Sequence, residues 1–364
     1  MSQPLIYFIY DLEVLKNFFS FSGKFYGKPE IYTFEMSSRK NQRSELLAFL
    51  SYLQTSGATM VGFNNLNFDW VIIHELLNNI HTFDYKKAYL LCQEIIGSQN
   101  YGGNNLNVIS FKDRIIPQID LVKINHFDNR NKRVPLKSLQ FAMRLASVED
   151  IPVKLGEDIT FEQMDQVLSY NVHDVIATEA FLERCMHLVE MRQELLTSGV
   201  LSGDVLNFSD VKIGVEYLVK KIGRSNCYSG STPKNTQRDS IVFKDIILPT
   251  ISFKTESFSA VLDWFKAQVF YVESDEPVPK HEAKLAGVDF HFGIGGAHGS
   301  VNEKVYTSNS THIIKDIDVA SMYPSIAVAN GFAPEHLGKG FSLAYAQLIQ
   351  DRKQFAKGSS MNAT

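Results

Sequence analysis

Apolar residues along the chain come alternately in short unbroken runs and at helical spacing. Residues 5–13 form an apolar, aromatic-rich run that ends in the carboxylates Asp11 and Glu13, and residues 18–25 set Phe against Ser with a two-residue period. Both patterns predict strands. Residues 44–54 carry apolar side chains at helical spacing, 59–63 are a buried-strand run, and 68–77 are helical again. Alternating strands and helices predict an α/β domain built on a mixed sheet. A long helical segment closes it: Thr160 and Gln163 have capping-box spacing, and periodic apolar residues continue through Tyr170, Val175 and Phe181 to Leu195.

Beyond Leu195 the pattern loosens at Thr197, Ser198, Gly199, Ser202 and Gly203 before another amphipathic helix over 211–222, so a boundary is expected after a first domain of residues 1–195. Between 220 and 238 stand five basic residues, Lys220, Lys221, Arg224, Lys234 and Arg238, and no acidic one. Such a loop suits phosphate contacts, and a solvated basic loop fits the composition equally well. Residues 291–301, HFGIGGAHGSV, hold four glycines but match neither Walker A nor GxGxxG spacing. A flexible connector is the first reading there, with backbone approach to phosphate as the alternative. Residues 313–322 read as a strand carrying Asp316 and Asp318, followed by a helix whose first turn suits Pro324, and 342–357 read as a helix with basic last turns.

Composition narrows the picture. The 364 residues suffice for two or three domains, and 45% hydrophobic with 21% charged residues exclude a disordered chain. Forty acidic against 36 basic residues leave a net charge of −4, so any binding to a polyanion has to be local. The three cysteines, Cys92, Cys185 and Cys227, are far apart and form no CxxC pair, which argues against a disulfide framework or a zinc site. A reducing cytoplasm is expected. The apolar run before Asp11 is too short for a leader core or a membrane span, and no longer one follows.

Asp11 and Glu13 lie two apart on a predicted strand, so their side chains share a face and can share a divalent cation. Asp69 sits just past a buried strand, beside Phe68 and Trp70, which is an odd place for a solvated charge. Tyr170 and Asp174 are i and i+4 on a helix, stacked on one face. Oxygen ligands without a Cys or His cluster suit Mg²⁺ or Mn²⁺, and two such ions about 4 Å apart are common apparatus for cutting a phosphodiester.

Together Asp11-x-Glu13, Asn64-x-x-x-Phe68-Asp69 and Tyr170-x-x-x-Asp174 resemble the three exonuclease motifs of DEDDy 3′-to-5′ exonucleases, the proofreading domain of family B DNA polymerases. The resemblance implies an RNase H-like α/β exonuclease domain over 1–195. It implies two ions held by Asp11, Glu13, Asp69 and Asp174, an attacking water oriented by Tyr170, and a 3′-terminal nucleotide contacted by Asn64 and Phe68. Further on, Asp318-Val-Ala-Ser321-Met322-Tyr323-Pro324-Ser325-Ile326 is similar to the palm motif A of the same family, with Met322 the departure. That similarity implies a metal ligand at Asp318 and a triphosphate and sugar held around Ser321, Met322 and Tyr323. The helix bearing Arg352, Lys353 and Lys357 is similar to the first fingers helix, whose basic residues meet the incoming triphosphate; a solvated basic face is the alternative.

By this resemblance residues 196–340 are the first part of the palm with its connector, and 341–364 begin the fingers. The first motif starts at Asp11, as in compact, phage-like members of the family. Neither the Asp-Thr-Asp motif nor the Lys-x-x-x-Asn-x-x-Tyr-Gly motif occurs, so the polymerase site is expected to be incomplete in this chain. The implied partners are an unpaired DNA 3′ end, a primer-template, a C-terminal polymerase fragment and, with that fragment, a dNTP. Two other readings stay open: a stand-alone 3′-to-5′ exonuclease, and the N-terminal subunit of a split polymerase.

Overall fold

The computed structural model describes residues 5–100, 108–129, 131–273, 277–301, 303–319 and 321–353. Contacts divide the chain into two compact units, the first of residues 1–221 together with the segment from Gln350, the second of residues 222–349, and no described helix is long and apolar enough to cross a membrane.

The first unit is built on strands β1 (Ile6–Leu15), β2 (Phe18–Phe25), β3 (Tyr32–Ser37), β4 (Ala58–Gly62) and β5 (Gln118–Asp120). They form one mixed sheet in the order β3-β2-β1-β4-β5, with β1 antiparallel to β2 and parallel to β4. Helices α1 (Arg43–Thr55), α2 (Asp69–Asn78) and α3 (Tyr85–Asn100) cover one face, where Phe8, Tyr10 and Leu12 of β1 and Phe19 and Phe21 of β2 pack with Leu50, Trp70 and Ile73. Short helices α4 (Leu121–Ile124) and α5 (Leu136–Met143) lead to α6 (Phe161–Thr197), which crosses β1 and β2 on the other face. There Ile9, Val61 and Ile119 meet Val175, Leu182 and Val189.

The two-residue period of β1 therefore splits its side chains: Phe8, Tyr10 and Leu12 enter one core, while Asp11 and Glu13 continue the Ile9 face toward α6. The alternation on β2 has the same cause. Its phenylalanines fill the first core, and Ser22 and Ser20 stand opposite Asp11 and Glu13 on the helix-facing side. The predicted capping box opens α6, with Gln163 N–H donating to Thr160 Oγ1 at 3.3 Å and Thr160 N–H donating to Gln163 Oε1 at 2.8 Å.

The first unit extends past Leu195 through α7 (Asp210–Ile222) as far as Lys221. Arg192, fully buried on α6, pins the stretch leading into α7 by donating to Phe208 O at 2.8 Å and to Asp210 Oδ1 at 2.6 Å.

The second unit begins with α8 (Arg224–Cys227) and the two-stranded pair β6 (Tyr228–Ser229) and β7 (Thr232–Pro233). Then come β8 (Ser240–Val242), α9 (Phe243–Ile246), α10 (Glu256–Lys266) and β9 (Val269–Tyr271), with β8 and β9 paired. An antiparallel sheet of β10 (His281–Leu285), β11 (Val288–Gly293) and β12 (Gly296–Ser300) follows, then α11 (Met322–Asn330) and α12 (Gly338–Lys353), which this unit holds as far as Ile349.

Three expectations are corrected here. Residues 291–301 are not a connector but most of a hairpin, with Gly293 paired to Gly296 across a two-residue turn. One glycine there answers a packing demand: a Cβ on Gly299 would lie 2.5 Å from the Phe290 ring, which itself stands edge-on to Phe258 of α10. Residues 313–319 form no strand. Ile313, Ile314 and Ile317 are exposed, because strand-forming composition supplies no ladder without a neighbouring strand. Residues 220–238 are not one basic loop but the end of α7, then α8, β6 and β7.

Candidate metal centre

The helix-facing side of β1 meets the first third of α6, and there one carboxylate oxygen from each of Asp11, Glu13 and Asp174 lies within 4.8 Å of the others. Among the described residues no other group of three or more His, Cys, Asp or Glu comes together this closely. Asp69 is not in the trio but stands beside it: it opens α2, and its Oδ1 accepts from the Leu12 N–H at 3.2 Å, between Asp11 and Glu13 in the strand. The Tyr170 hydroxyl, one helical turn before Asp174, donates to the Asp174 carboxylate.

All four carboxyls are pushed above their ordinary range. For Asp11 the causes are burial first, then Asp69, Glu13 and Asp174; for Glu13 they are burial, Asp174 and Asp69. Burial lifts Asp69 to about 7, against the pull of its own and the Leu12 N–H. Asp174 is raised by burial, although Tyr170, Gln140 and His173 work in the opposite direction. Burial and the neighbouring Asp174 and Glu13 also raise Tyr170, so its hydroxyl remains a donor at neutral pH. Clustered carboxylates that repel one another and carry oxygen donors alone fit a hard divalent cation, which would remove the repulsion.

Neutral amides fix these acids. Asn171 Nδ2 donates to Asp11 Oδ2 at 2.7 Å, while its Oδ1 accepts from Ser20 Oγ at 3.2 Å. Gln140 Nε2 donates to Asp174 Oδ1 at 3.0 Å, and Gln140 Oε1 pairs with His173 Nε2 at 3.3 Å. Sequence reasoning missed Asn171, Ser20, Gln140 and His173. Asn171 alone left a trace, as a polar residue in the stripe Met164, Val167, Asn171, Val175 that α6 buries.

Asn64 and Phe68 flank the short turn between β4 and α2. Asn64 is left-handed with φ of 64°, and Phe68 packs partly against the core around Trp70. A Cβ on Gly62, the last residue of β4, would lie 2.6 Å from the Asn65 Cβ, so the turn folds tightly back on the strand end. Asp120, fully buried and with its carboxyl raised by burial to about 6, accepts from the backbone N–H of Asn64 and of Leu66 in this turn. It too was missed.

The remaining expected residues lie elsewhere. Lys220 Nζ donates to Gly199 O and Val200 O at 2.7 and 2.8 Å, Lys221 stands over the Tyr217 ring, and Arg224 stacks on Tyr228 at 4.5 Å. In the second unit Lys234 Nζ donates to Ser225 O at 2.7 Å, and Arg238 pairs with Glu335. Asp318 is exposed, Ser321 precedes α11 in a left-handed conformation, and Met322 and Tyr323 open that helix, with the Tyr323 hydroxyl 3.3 Å from Gly295 O. Arg352 and Lys353 end α12, and Lys357 lies outside the described residues.

No protein-family model matches the chain, and no curated protein matches its sequence. Among solved structures, the family B DNA polymerase from the hyperthermophilic archaeon Pyrobaculum calidifontis is similar, with a TM-score of 0.40 and 14% identity. The match covers 62% of this chain and 30% of that polymerase.

Proposed function

We propose that residues 1–195, within the first unit, form a DEDDy-type 3′-to-5′ exonuclease with an RNase H-like α/β fold, and that the chain is the N-terminal portion of a family B DNA polymerase. The observation that carries the nuclease reading is the convergence of Asp11, Glu13 and Asp174 within 4.8 Å, with Asp69 tied to the same strand. These are the carboxylates of the three motifs, and they are brought together from β1, α2 and α6. The domain is assigned to residues 1–195, which hold the whole cluster.

Asp11, Glu13, Asp69 and Asp174 would hold two Mg²⁺ or Mn²⁺ ions, which would supply activation of the attacking water and stabilisation of the departing 3′-oxygen. Asn171 fixes the rotation of the Asp11 carboxylate, and Gln140 that of Asp174. Tyr170 keeps its proton and orients the water through its hydroxyl rather than acting as a base. Asn64 and Phe68 take the terminal nucleotide, Phe68 by its ring face.

The polymerase role assigned to Asp318, Ser321, Met322, Tyr323, Arg352, Lys353 and Lys357 rests on motif resemblance. Asp318 is exposed and joins no metal-ligating cluster among the described residues, so the nuclease is the activity that the geometry supports best.

The test is a 5′-labelled single-stranded DNA incubated with the purified chain and Mg²⁺. The expected outcome is shortening from the 3′ end and no extension of a primer by this chain alone. Asp11→Ala with Glu13→Ala should reduce shortening to background with an unchanged circular dichroism spectrum; persistence of activity in that variant would sink the metal assignment.

A further inference from the structure

A buried carboxylate outside the metal cluster organises the turn that carries Asn64 and Phe68. Asp120 ends β5 with no exposed surface. Its Oδ1 accepts from the Asn64 N–H and the Val122 N–H, both at 2.9 Å, and its Oδ2 accepts from the Leu66 N–H at 3.2 Å. Two of these donors bracket the turn, and one belongs to the left-handed Asn64. Ionised carboxylates accept backbone N–H bonds more strongly than neutral groups do, so this is a stiff clamp.

The clamp is itself anchored. Asn207 Oδ1 accepts from the Asp120 N–H at 2.8 Å, and Asn207 Nδ2 donates to Gln118 O at 2.8 Å and to Asp204 Oδ1 at 2.7 Å. Inside the turn, Asn67 Nδ2 donates to Asn64 Oδ1 at 2.9 Å, so the side chain of Asn64 is set by the same arrangement.

We propose that Asp120, anchored by Asn207, is a positioning residue for recognition of an unpaired nucleic-acid 3′ end. It holds Asn64 and Phe68 in a preformed clamp and takes no part in cleavage. This rests on the exonuclease reading. Preorganisation lowers the entropy lost on binding, so loosening the clamp weakens capture of the end and leaves the cleavage step intact.

The test compares wild type with Asp120→Asn, which keeps the shape but turns an N–H₂ toward N–H donors, and with Asn207→Ala, which spares the carboxylate. For both variants KM for a single-stranded oligonucleotide should rise, by about tenfold in Asp120→Asn, the worth of one hydrogen bond to a charged group, with kcat within about twofold. Hydrogen exchange at the amides of Asn64 and Leu66 should quicken in both. Oligonucleotide binding with Ca²⁺ in place of Mg²⁺ should weaken in parallel. A fall in kcat at unchanged KM, or unchanged exchange at the two amides, overturns the proposal. If wild type does not shorten DNA at all, the exonuclease reading fails by itself, and the binding and exchange measurements still decide the role of Asp120.

Discussion

At the metal cluster, three of the four carboxylates are steered by a neutral donor. Asn171 holds Asp11, Gln140 holds Asp174 and the Leu12 N–H holds Asp69. Neutral donors orient an acid without cancelling its charge, so the negative field that draws a cation survives. Asn171→Ala removes the donor at Asp11 and leaves the Ser20 hydroxyl without its acceptor. Removing such outer partners typically costs about 10- to 100-fold in metal affinity or activity. The expected result is a Mn²⁺ titration midpoint raised by that factor with the unfolding temperature nearly unchanged; an unchanged midpoint would show that Asn171 is packing alone. Asp11, Glu13, Tyr170 and Asp174 were legible in the sequence because strand and helix periods put each pair on one face. Asn171 and Gln140 were not, since their partners lie 160 and 34 residues away and no local pattern encodes such a contact.

Secondary-structure elements were legible where local chemistry agrees with tertiary demand. The capping box at Thr160 and Gln163 and the Phe/Ser alternation of β2 are examples. The misreadings share a cause. Glycines in 291–301 suggested a loose connector, whereas an aromatic ring lying across β12 requires one of them and a tight hairpin turn uses others. Residues 313–319 have strand composition but no partner to pair with among the described residues. The turn after β4 makes the same point in a testable form. Gly62→Ala pushes a methyl group against the Asn65 Cβ at 2.6 Å, with β4 buried on both sides. Overpacking of this kind costs about 1–3 kcal/mol, so urea unfolding should show that loss at an unchanged m-value. Full stability in the variant would mean that the turn is softer than its contacts imply.

For the molecule as a whole, the acidic cluster makes stability depend on pH and on divalent cations together. Asp69 goes from an ordinary value of 3.8 to about 7 in the folded chain, Asp120 to about 6, and Asp11 and Glu13 move the same way. Because the folded state holds these protons more tightly than the unfolded one, their contribution to stability is fully present below about 3.8 and is lost as pH rises through about 7. With EDTA, the thermal midpoint should therefore fall between pH 5 and pH 8, by about 2–4 °C for each kcal/mol lost in a unit of this size. Millimolar Mg²⁺ should flatten that slope, since a ligand that binds the folded state stabilises it by mass action. A midpoint that rises with pH in EDTA would contradict the cluster electrostatics.

The amino-acid pattern was sufficient for the α/β class, the long capped helix, and the order in which the acids follow one another, because these depend on periods of two and 3.6 residues and on local capping chemistry. It also placed Asp11 and Glu13 on one face before any contact was known. Which acids meet was a matter of the sheet: β1 in the centre, α6 crossing its serine-lined face, and α2 starting beside Leu12 bring three distant segments to one point. The buried Asp120 carboxylate belongs to the same category. Its role exists because β5 pairs alongside β4, and pairing between strands more than fifty residues apart is set by the packing of the whole unit.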